Sequence, residues 1–206
     1  MKKVLLILLI SSIFNITVNA EDTGREAYPR FTFGLEWGYV ASIHQGYHYY
    51  YFAPEGFRVD EIGDSFRYVS NADMYVNIGW NIDKHWNLAL YLGYAGAGNL
   101  HNVVPVSLRG TRYFGSDPLA DRWFAFLDLG SGVGAKIPVQ EILAGKAGGG
   151  YRLSLSRDSK LDLLFSARII YTHPSIYRDD IRIPKDNIDR NNAWISAISV
   201  GMAVTF

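Results

Sequence analysis

The final fifteen residues of the chain, Asn192 to Phe206, alternate in size with period two. Trp194, Ser196, Ile198, Val200, Met202, Val204 and Phe206 fall on one face. Ala193, Ile195, Ala197, Ser199, Gly201, Ala203 and Thr205 fall on the other, which is smaller except at Ile195. Such alternation predicts a β-strand, because successive side chains of a strand point to opposite sides. Seven earlier segments read the same way. The first sets Phe31, Phe33, Leu35, Trp37 and Tyr39 against Thr32, Gly34, Glu36 and Gly38. The second sets Tyr68, Ala72, Met74, Val76, Ile78 and Trp80 against Asn71, Asp73, Tyr75, Asn77 and Gly79. The third sets Trp86, Leu88, Leu90, Leu92 and Tyr94 against Asn87, Ala89, Tyr91 and Gly93. The fourth sets Val104, Val106, Leu108 and Phe114 against Ser107, Arg109, Thr111 and Tyr113. The fifth opposes Trp123, Ala125, Leu127, Leu129 and Val133 to Phe124, Phe126, Asp128 and three glycines. The sixth, weaker, opposes Ala147, Gly149, Tyr151, Leu153 and Leu155 to Lys146, Gly148, Gly150, Arg152 and Ser154. The seventh opposes Leu161, Leu163, Phe165, Ala167, Ile169 and Tyr171 to Asp162, Ser166 and Arg168.

The connections alternate too. Those after strands two, four and six are short: Asp83 to His85, Gly115 to Asp121 and Arg157 to Ser159. Those after strands one, five and seven are longer: Ile43 to Phe66, Lys136 to Leu143 and Thr172 to Asn191. The stretch Ala95 to Asn102 is intermediate. A water-soluble barrel would keep its large apolar residues inside. Here the face opposite the large apolar one carries charge, amides and glycine, which cannot form a dry core. The large apolar face is therefore expected to meet lipid, and the polar face a lumen. The predicted fold is all-β: an eight-stranded antiparallel up-and-down transmembrane β-barrel. Tyr68 and Trp80 are twelve residues apart, as are Trp194 and Phe206. At about 3.3 Å per residue and a tilt of about 45°, that interval spans roughly 28 Å, close to the apolar band of such a barrel. Pro105 is the one misfit, since it cannot donate to a ladder; a bulge or strand start would accommodate it.

Composition refines this picture. Met1 to Ala20 reads as a cleaved secretory signal peptide: Lys2 and Lys3, an apolar run from Val4, and small residues at Val18-Asn19-Ala20. Residues 21–206 would then form the single barrel domain. Without Lys2 and Lys3 the 20 basic residues fall to 18 against 20 acidic ones, which argues against nucleic acid held on a basic surface. The absence of cysteine excludes disulfides, thiolate metal sites and lipoprotein processing. Aromatic residues make up 15% of the chain, with 14 tyrosines and 5 tryptophans, which suits a protein anchored at two membrane interfaces.

From Phe31 to Phe206 the pattern resembles the small eight-stranded bacterial outer-membrane proteins: the OmpA transmembrane domain, OmpX and the PorT-like barrels of Bacteroidetes. The resemblance implies a Gram-negative outer-membrane location and a monomeric barrel in contact with lipid and lipopolysaccharide. It also implies that the barrel-assembly machinery reads the terminal strand, with Trp194 and the final Phe206 as its signal. An outer-membrane protein partner is a further expectation. No cofactor and no nucleic acid are implied.

Four groups of residues could carry function. By parity Glu36, Asp73, Asp128 and Asp162 point inward with Arg109, Lys146, Arg152 and Arg168. Buried charges need partners, so these would either plug the interior with salt bridges or line a narrow ion path. The inward glycines Gly130, Gly132, Gly134, Gly148 and Gly150 leave a hollow. Either Tyr75, Tyr91, Tyr113 or Arg109 fills it, or it takes an acyl chain, as in the lipid A palmitoyltransferase barrel. Tyr47, Tyr49, Tyr50, Tyr51, Phe52 and Phe57 crowd the first long connection, and exposed aromatics anchor partners or sugars. The alternative is that strands one and two extend past the membrane and these residues pack there. Finally, His173 and Ser175 resemble part of the lipid A 3-O-deacylase site. An esterase also needs an orienting acid; Pro174 intervenes, and only Asp179, Asp180, Asp186 or Asp189 is at hand. His44 and His48 are spaced as on a helix rather than a strand, and a metal site is not expected. The leading expectation is a structural or interaction protein, then a lipid A-modifying enzyme, then a narrow channel.

Overall fold

The computed structural model describes residues 29–97, 101–134 and 141–206. Seven strands come first: β1 (Phe31–Phe52), β2 (Arg58–Asn81), β3 (Trp86–Ala97), β4 (His101–Tyr113), β5 (Arg122–Gly134), β6 (Glu141–Ser154) and β7 (Lys160–Thr172). A two-stranded hairpin, β8 (Tyr177–Arg178) with β9 (Ile181–Arg182), a 3₁₀ turn (Lys185–Asn187) and the final strand β10 (Ile188–Thr205) follow. Eight of these form one antiparallel sheet in the order β1-β10-β7-β6-β5-β4-β3-β2, closed because β1 pairs with both β10 and β2. Every ladder joins consecutive strands except that of β7 with β10, which the β8–β9 hairpin separates, and the closing one. There Phe206 donates its N–H to the Phe33 carbonyl at 2.8 Å, and the Phe33 N–H returns to Phe206 at 3.0 Å.

The alternation of the sequence becomes the two surfaces of this sheet. Thr32, Glu36 and Val40 of β1 are buried while Phe31, Phe33, Leu35, Trp37 and Tyr39 are exposed. The same split runs through β7, where Lys160, Asp162, Leu164, Ser166 and Arg168 are buried between exposed Leu163, Phe165 and Ile169. Inside, apolar clusters lie on either side of a charged belt. Tyr113, Phe124, Phe126, Leu164 and Ala203 form one; Val103, Ile142, Ile170 and Ile195 form another. Pro105 needs no bulge. The β3–β4 ladder skips Gly93 and Tyr94 opposite it and resumes at Ala95↔Val103 in the same register, while Pro105 stays opposite Gly132 of β5.

Three expected boundaries are corrected. The long connection Ile43 to Phe66 is mostly strand: β1 and β2 run on together to a turn at Ala53–Phe57, where Gly56 takes φ +91°. The expected loop Lys136 to Leu143 gives way to β6 at Glu141, and residues 135–140 lie outside the described residues. The segment Thr172 to Asn191 holds the β8–β9 hairpin and the start of β10. Its two-residue turn places Asp179 at φ 46° and Asp180 at φ 63°, the left-handed pair that a type I′ turn demands. The intermediate connection also shrinks, because β3 reaches Ala97 and β4 starts at His101. The expected signal peptide lies outside the described residues.

The extra length of β1 and β2 has a shape. β2 pairs with β3 only from Asp73 onward, so Arg58 to Ala72 is bonded on one side alone, to β1. β10 pairs with β7 only from Ala193, so its first residues bond only to β1. A three-stranded ribbon of β2, β1 and β10 thus continues past the closed sheet. Between Ser42 and His44 the register of β1 shifts against both neighbours at the ribbon's base: against β10 Ile43 is an extra residue, whereas against β2 it faces two, Arg67 and Tyr68.

The opposite end carries tight turns. In the β2–β3 turn Asp83 Oδ1 accepts the N–H groups of His85 at 2.6 Å and Trp86 at 2.7 Å. These bonds, the His85 amide first, hold the exposed Asp83 carboxyl below its ordinary value of 3.8. Because its folded pKa is depressed, its contribution to the turn is complete above the ordinary carboxyl pKa and fades as pH falls through the lowered one. NMR titration of the His85 and Trp86 amides should show this acid-side step, with a midpoint below 3.8, and Asp83→Ala should abolish it.

Candidate functional site

The charged belt is built by register. Arg109 on β4 stands opposite Asp128 on β5, Asp128 opposite Lys146 on β6, and Lys146 opposite Arg168 on β7. Alternation turns all four inward, where Glu36 of β1 and Asp73 of β2 meet them. Arg109 donates through Nε and Nη2 to Asp128 Oδ2 at 3.0 and 2.9 Å. It reaches Glu36 through Nη1 at 2.5 Å and Nη2 at 3.2 Å. Lys146 Nζ donates to the second Glu36 oxygen at 2.7 Å and lies 3.9 Å from Asp73. Arg168 contacts Asp73 at 3.5 Å and donates to the Gly96 carbonyl at 3.2 Å. Nearer the tight turns, Arg152 and Asp162 form a two-point pair with both contacts at 2.7 Å. Thus the eight charges expected inside are brought together as two networks, each with equal numbers of acids and bases.

The aromatic rings of the belt complete the site. The Arg109 guanidinium is sandwiched between Tyr91, 3.9 Å from the ring centre, and Phe126 at 4.3 Å. The Tyr91 hydroxyl accepts a further Arg109 bond at 3.1 Å. Room for these long side chains comes from the small inner face of β10, where Ala197, Ser199, Gly201 and Ala203 line up across from them. There Ser199 shares a hydrogen bond of 2.6 Å with Ser166.

The expected glycine hollow is small. Gly130 and Gly132 border a cavity of about 30 Å³ with Tyr75, Pro105, Lys146 and Ile170. That is room for one or two waters and far below the roughly 300–1,000 Å³ of small-molecule sites. On the neighbouring strand, a Cβ on Gly150 would fall 2.0 Å from the Leu163 carbonyl oxygen and 2.6 Å from the Phe124 ring. These glycines therefore admit a neighbouring backbone and a ring rather than a ligand. Gly134 has no described side-chain surroundings.

The aromatic cluster of the first connection divides between the two faces of the ribbon. Tyr47, Tyr49 and Tyr51 share one face. Tyr51 is buried with Ala53, Ile176 and Ile183, with Tyr49, Val59 and Ile188 packed against them, so the β8–β9 segment covers this face. Tyr47 stacks on Tyr49 at 4.5 Å and donates its hydroxyl to Glu61 at 2.8 Å, which raises the Tyr47 phenol pKa. Burial pushes the Tyr49 phenol up to about 12. Tyr50 and Phe52 face the other way, and Phe57 sits in the turn beneath Arg178, 5.2 Å from its ring centre. Of the six, Phe52 and Phe57 are exposed. The expectation of six loop aromatics open to a partner is thus corrected: five are strand residues, and three of those face the covered side.

Sequence reasoning missed what occupies the open face. His44 pairs with Asp64, and His48 Nε2 contacts Asp60 at 2.8 Å while its Nδ1 lies 3.1 Å from Arg190. Arg58 donates to the Tyr50 hydroxyl at 3.0 Å. Ile62 and Phe66 stand exposed among them. The i, i+4 histidine spacing fits a strand after all, since it returns to one face, and each acid lies diagonally across the β1–β2 ladder. Among the described residues His173 makes no hydrogen bond to Ser175; its ring stands edge-on to Tyr171, 5.0 Å between centres. Trp194 lies over Gly46, where an added Cβ would come within 2.3 Å of the indole.

The chain is similar to several bacterial outer-membrane β-barrel proteins. Outer membrane protein OprG from Pseudomonas aeruginosa is 10% identical, with TM-score 0.49, over 88% of this chain and 98% of that one. Neisserial surface protein A is 11% identical, with TM-score 0.42, over 86% and 98%. The N-terminal β-barrel domain of Pseudomonas aeruginosa OprF is 14% identical, with TM-score 0.38, over 82% and 96%. No family model and no curated protein matches the chain. The architecture described above rests on strand register, not on these likenesses.

Glu36 is the acid that joins two bases, so its removal leaves both partly unpaired. Glu36→Gln should destabilise the folded chain by about 3–5 kcal/mol, the usual cost of breaking a buried pair. Lys146→Met in the same chain should recover part of that loss, because Asp128 keeps Arg109 and Asp73 keeps Arg168. Equilibrium urea unfolding in detergent or lipid vesicles measures both.

Proposed function

We propose that this protein is an integral β-barrel of a Gram-negative outer membrane, with a structural or interaction role rather than an enzymatic one. One observation carries the reading: the sheet is inside out. Its outward positions bear exposed Leu88, Leu90 and Leu92 on β3, Leu127 and Leu129 on β5, and Val200 and Met202 on β10, while Asp128 of β5 and the charges Arg109, Lys146 and Arg168 of β4, β6 and β7 are buried. In water an apolar band running right round the molecule would drive aggregation; in a bilayer it is the required surface. Trp80, Trp86, Trp123 and Phe206 at the tight-turn rim suit the headgroup level. Arg112 lies there over Trp86 and Phe114, as a side chain reaching from apolar surface toward water does.

On this reading the signal peptide directs export and is cleaved, and the assembly machinery captures the last strand through Trp194 and Phe206. The barrel is monomeric, with the tight turns in the periplasm and the ribbon outside the cell. It belongs among the small OmpA-, OmpX- and PorT-like barrels. The belt from Glu36 to Arg168 closes the interior, in keeping with an eight-stranded barrel whose width side chains fill. The ribbon's open face, with Phe66, Ile62 and its histidine–aspartate pairs, is the contact surface for lipopolysaccharide, a glycan or a neighbouring outer-membrane protein.

Three experiments test this. The protein should fractionate with the outer membrane, need detergent for solubility, and migrate differently in SDS gels before and after boiling. A monodisperse, detergent-free solution would overturn the membrane assignment. In planar bilayers it should show no stable conductance in the porin range; a steady open state would overturn the closed interior. A variant with the ribbon shortened between Ile43 and Phe66 should keep its heat-dependent mobility and lose partners that co-purify with the full chain.

A further inference from the structure

We infer that the tight-turn mouth of the barrel is a binding site for a compact dianion of the phosphate class. The starting point is a charge imbalance. Among the described residues the buried acids are Glu36, Asp73, Asp128 and Asp162, and the buried bases are Arg109, Lys146, Arg168, Arg152, Arg122 and Lys160. The first four bases are satisfied by the four acids as described above. Arg122 and Lys160 are left, and neither forms an ion pair among the described residues. Buried charge without a counter-charge is costly, so these two mark a place where something negative is missing.

Both line one pocket, opened between the three tight turns and closed on one side by Thr205 and Phe206. Its room, about 30 Å³, is too small for an extended molecule and takes one or two oxygens of a compact anion whose remainder stays at the open mouth. Arg122 is held in place with donors to spare. Its Nη1 bonds the Lys84 carbonyl at 2.7 Å, its guanidinium lies 4.1 Å from the Tyr113 ring centre, and its buried Nε has no partner. Arg152 sits directly opposite Arg122 in the β5–β6 ladder and packs on the same ring at 4.4 Å. Like charges at facing positions repel, and Asp162 is engaged by Arg152 at both oxygens. Lys160 Nζ donates to Ser154 Oγ at 2.5 Å and to the Ser156 carbonyl at 2.7 Å, which leaves its third proton uncommitted. Lys84 and Arg157 stand at the rim with Asp83 and Asp158. The Asp83 carboxylate is occupied by backbone amides, as described for its turn, and so does little to neutralise the mouth.

A dianion relieves the charge defect. It accepts from the Arg122 guanidinium and Lys160 Nζ, screens Arg122 from Arg152, and brings the buried charge to balance. The shared chemistry is a phosphate group, supplied either by a soluble phosphate or by a lipid headgroup at the inner rim. The inference concerns the folded barrel in any amphiphile and does not require that the membrane assignment be right.

The test uses the full mature chain refolded in a phosphate-free nonionic detergent at constant ionic strength. Inorganic phosphate is titrated at pH 8 and pH 6, with calorimetry and the thermal unfolding midpoint as readouts. One saturable site is expected, tighter at pH 8, where the dianion prevails, with a rise in the midpoint that chloride does not reproduce. Arg122→Gln with Lys160→Gln should weaken binding at least tenfold while retaining heat-dependent gel mobility; Arg178→Gln, at the other end of the barrel, should leave it unchanged. Should the double variant fail to fold, protection of Lys160 from amine acylation by phosphate in the wild-type chain decides the matter. Competition by glycerol phosphate and by phosphatidate in mixed micelles separates the sources: displacement by the first favours a soluble ligand, by the second alone a headgroup. No saturable binding, binding that is equal in the double variant, or Lys160 labelling indifferent to phosphate overturns the inference.

Discussion

Glu36 reaches across the interior of the barrel and holds two bases at once. Strand pairing alone fixes only neighbours. Register sets Arg109 beside Asp128 and Lys146 beside both Asp128 and Arg168, all on contiguous strands. Glu36 comes from β1, on the far side of the sheet, and ties that arc to the closing strands through contacts 73 and 110 residues apart in sequence. The interior thus gains a cross-brace where a soluble protein would have apolar packing. The brace also carries a constraint. Its members are desolvated, so losing any one leaves another unpaired in a medium that tolerates this poorly. The small residues of β10, the glycines beside Phe124 and the rings around Arg109 all follow from making space for it.

The same arrangement explains how two incompatible demands are met by one sheet. Outward positions are apolar, and inward positions must fill a narrow cylinder. Alternation separates them residue by residue, and closure removes the free edges over the banded part of the sheet. Beyond that part the demands relax. The ribbon of β2, β1 and β10 carries polar groups on its open face and a local core on the other, and it has an unpaired edge along the start of β2. That edge bears Asp60, Glu61 and Asp64, a pattern that discourages stray strand addition.

Much of this was legible from the sequence because a period of two, sustained over a dozen residues, permits little else. The faces of β3, β5 and β7 follow directly from it. So do the eight inward charges, since parity alone assigns a side. What parity cannot give is a partner. That Glu36 meets Arg109 and Lys146 depends on curvature and closure. The ribbon was hidden because alternation of apolar with polar residues ceases at Ile43: on both faces there tyrosine, histidine and acid are mixed, so strand reads as loop. Arg122 and Lys160 escaped for a simpler reason. Each is the first residue of its strand, one place before the alternating run that begins at Trp123 and at Leu161.

The register shift at Ile43 changes the phase of β1. Below it, odd-numbered residues look outward: Phe33, Leu35, Trp37, Tyr39. Above it, odd-numbered residues look toward the covered side: Tyr47, Tyr49, Tyr51. One strand is therefore written in two frames, joined at Ile43. Deleting Ile43 would restore the register with β10 but widen the mismatch with β2, so the two neighbours hold the change of frame in place between them. The aromatic residues of this strand stand on the exposed surface in one half and pack into a local core in the other, and the change of register at Ile43 divides the two vocations.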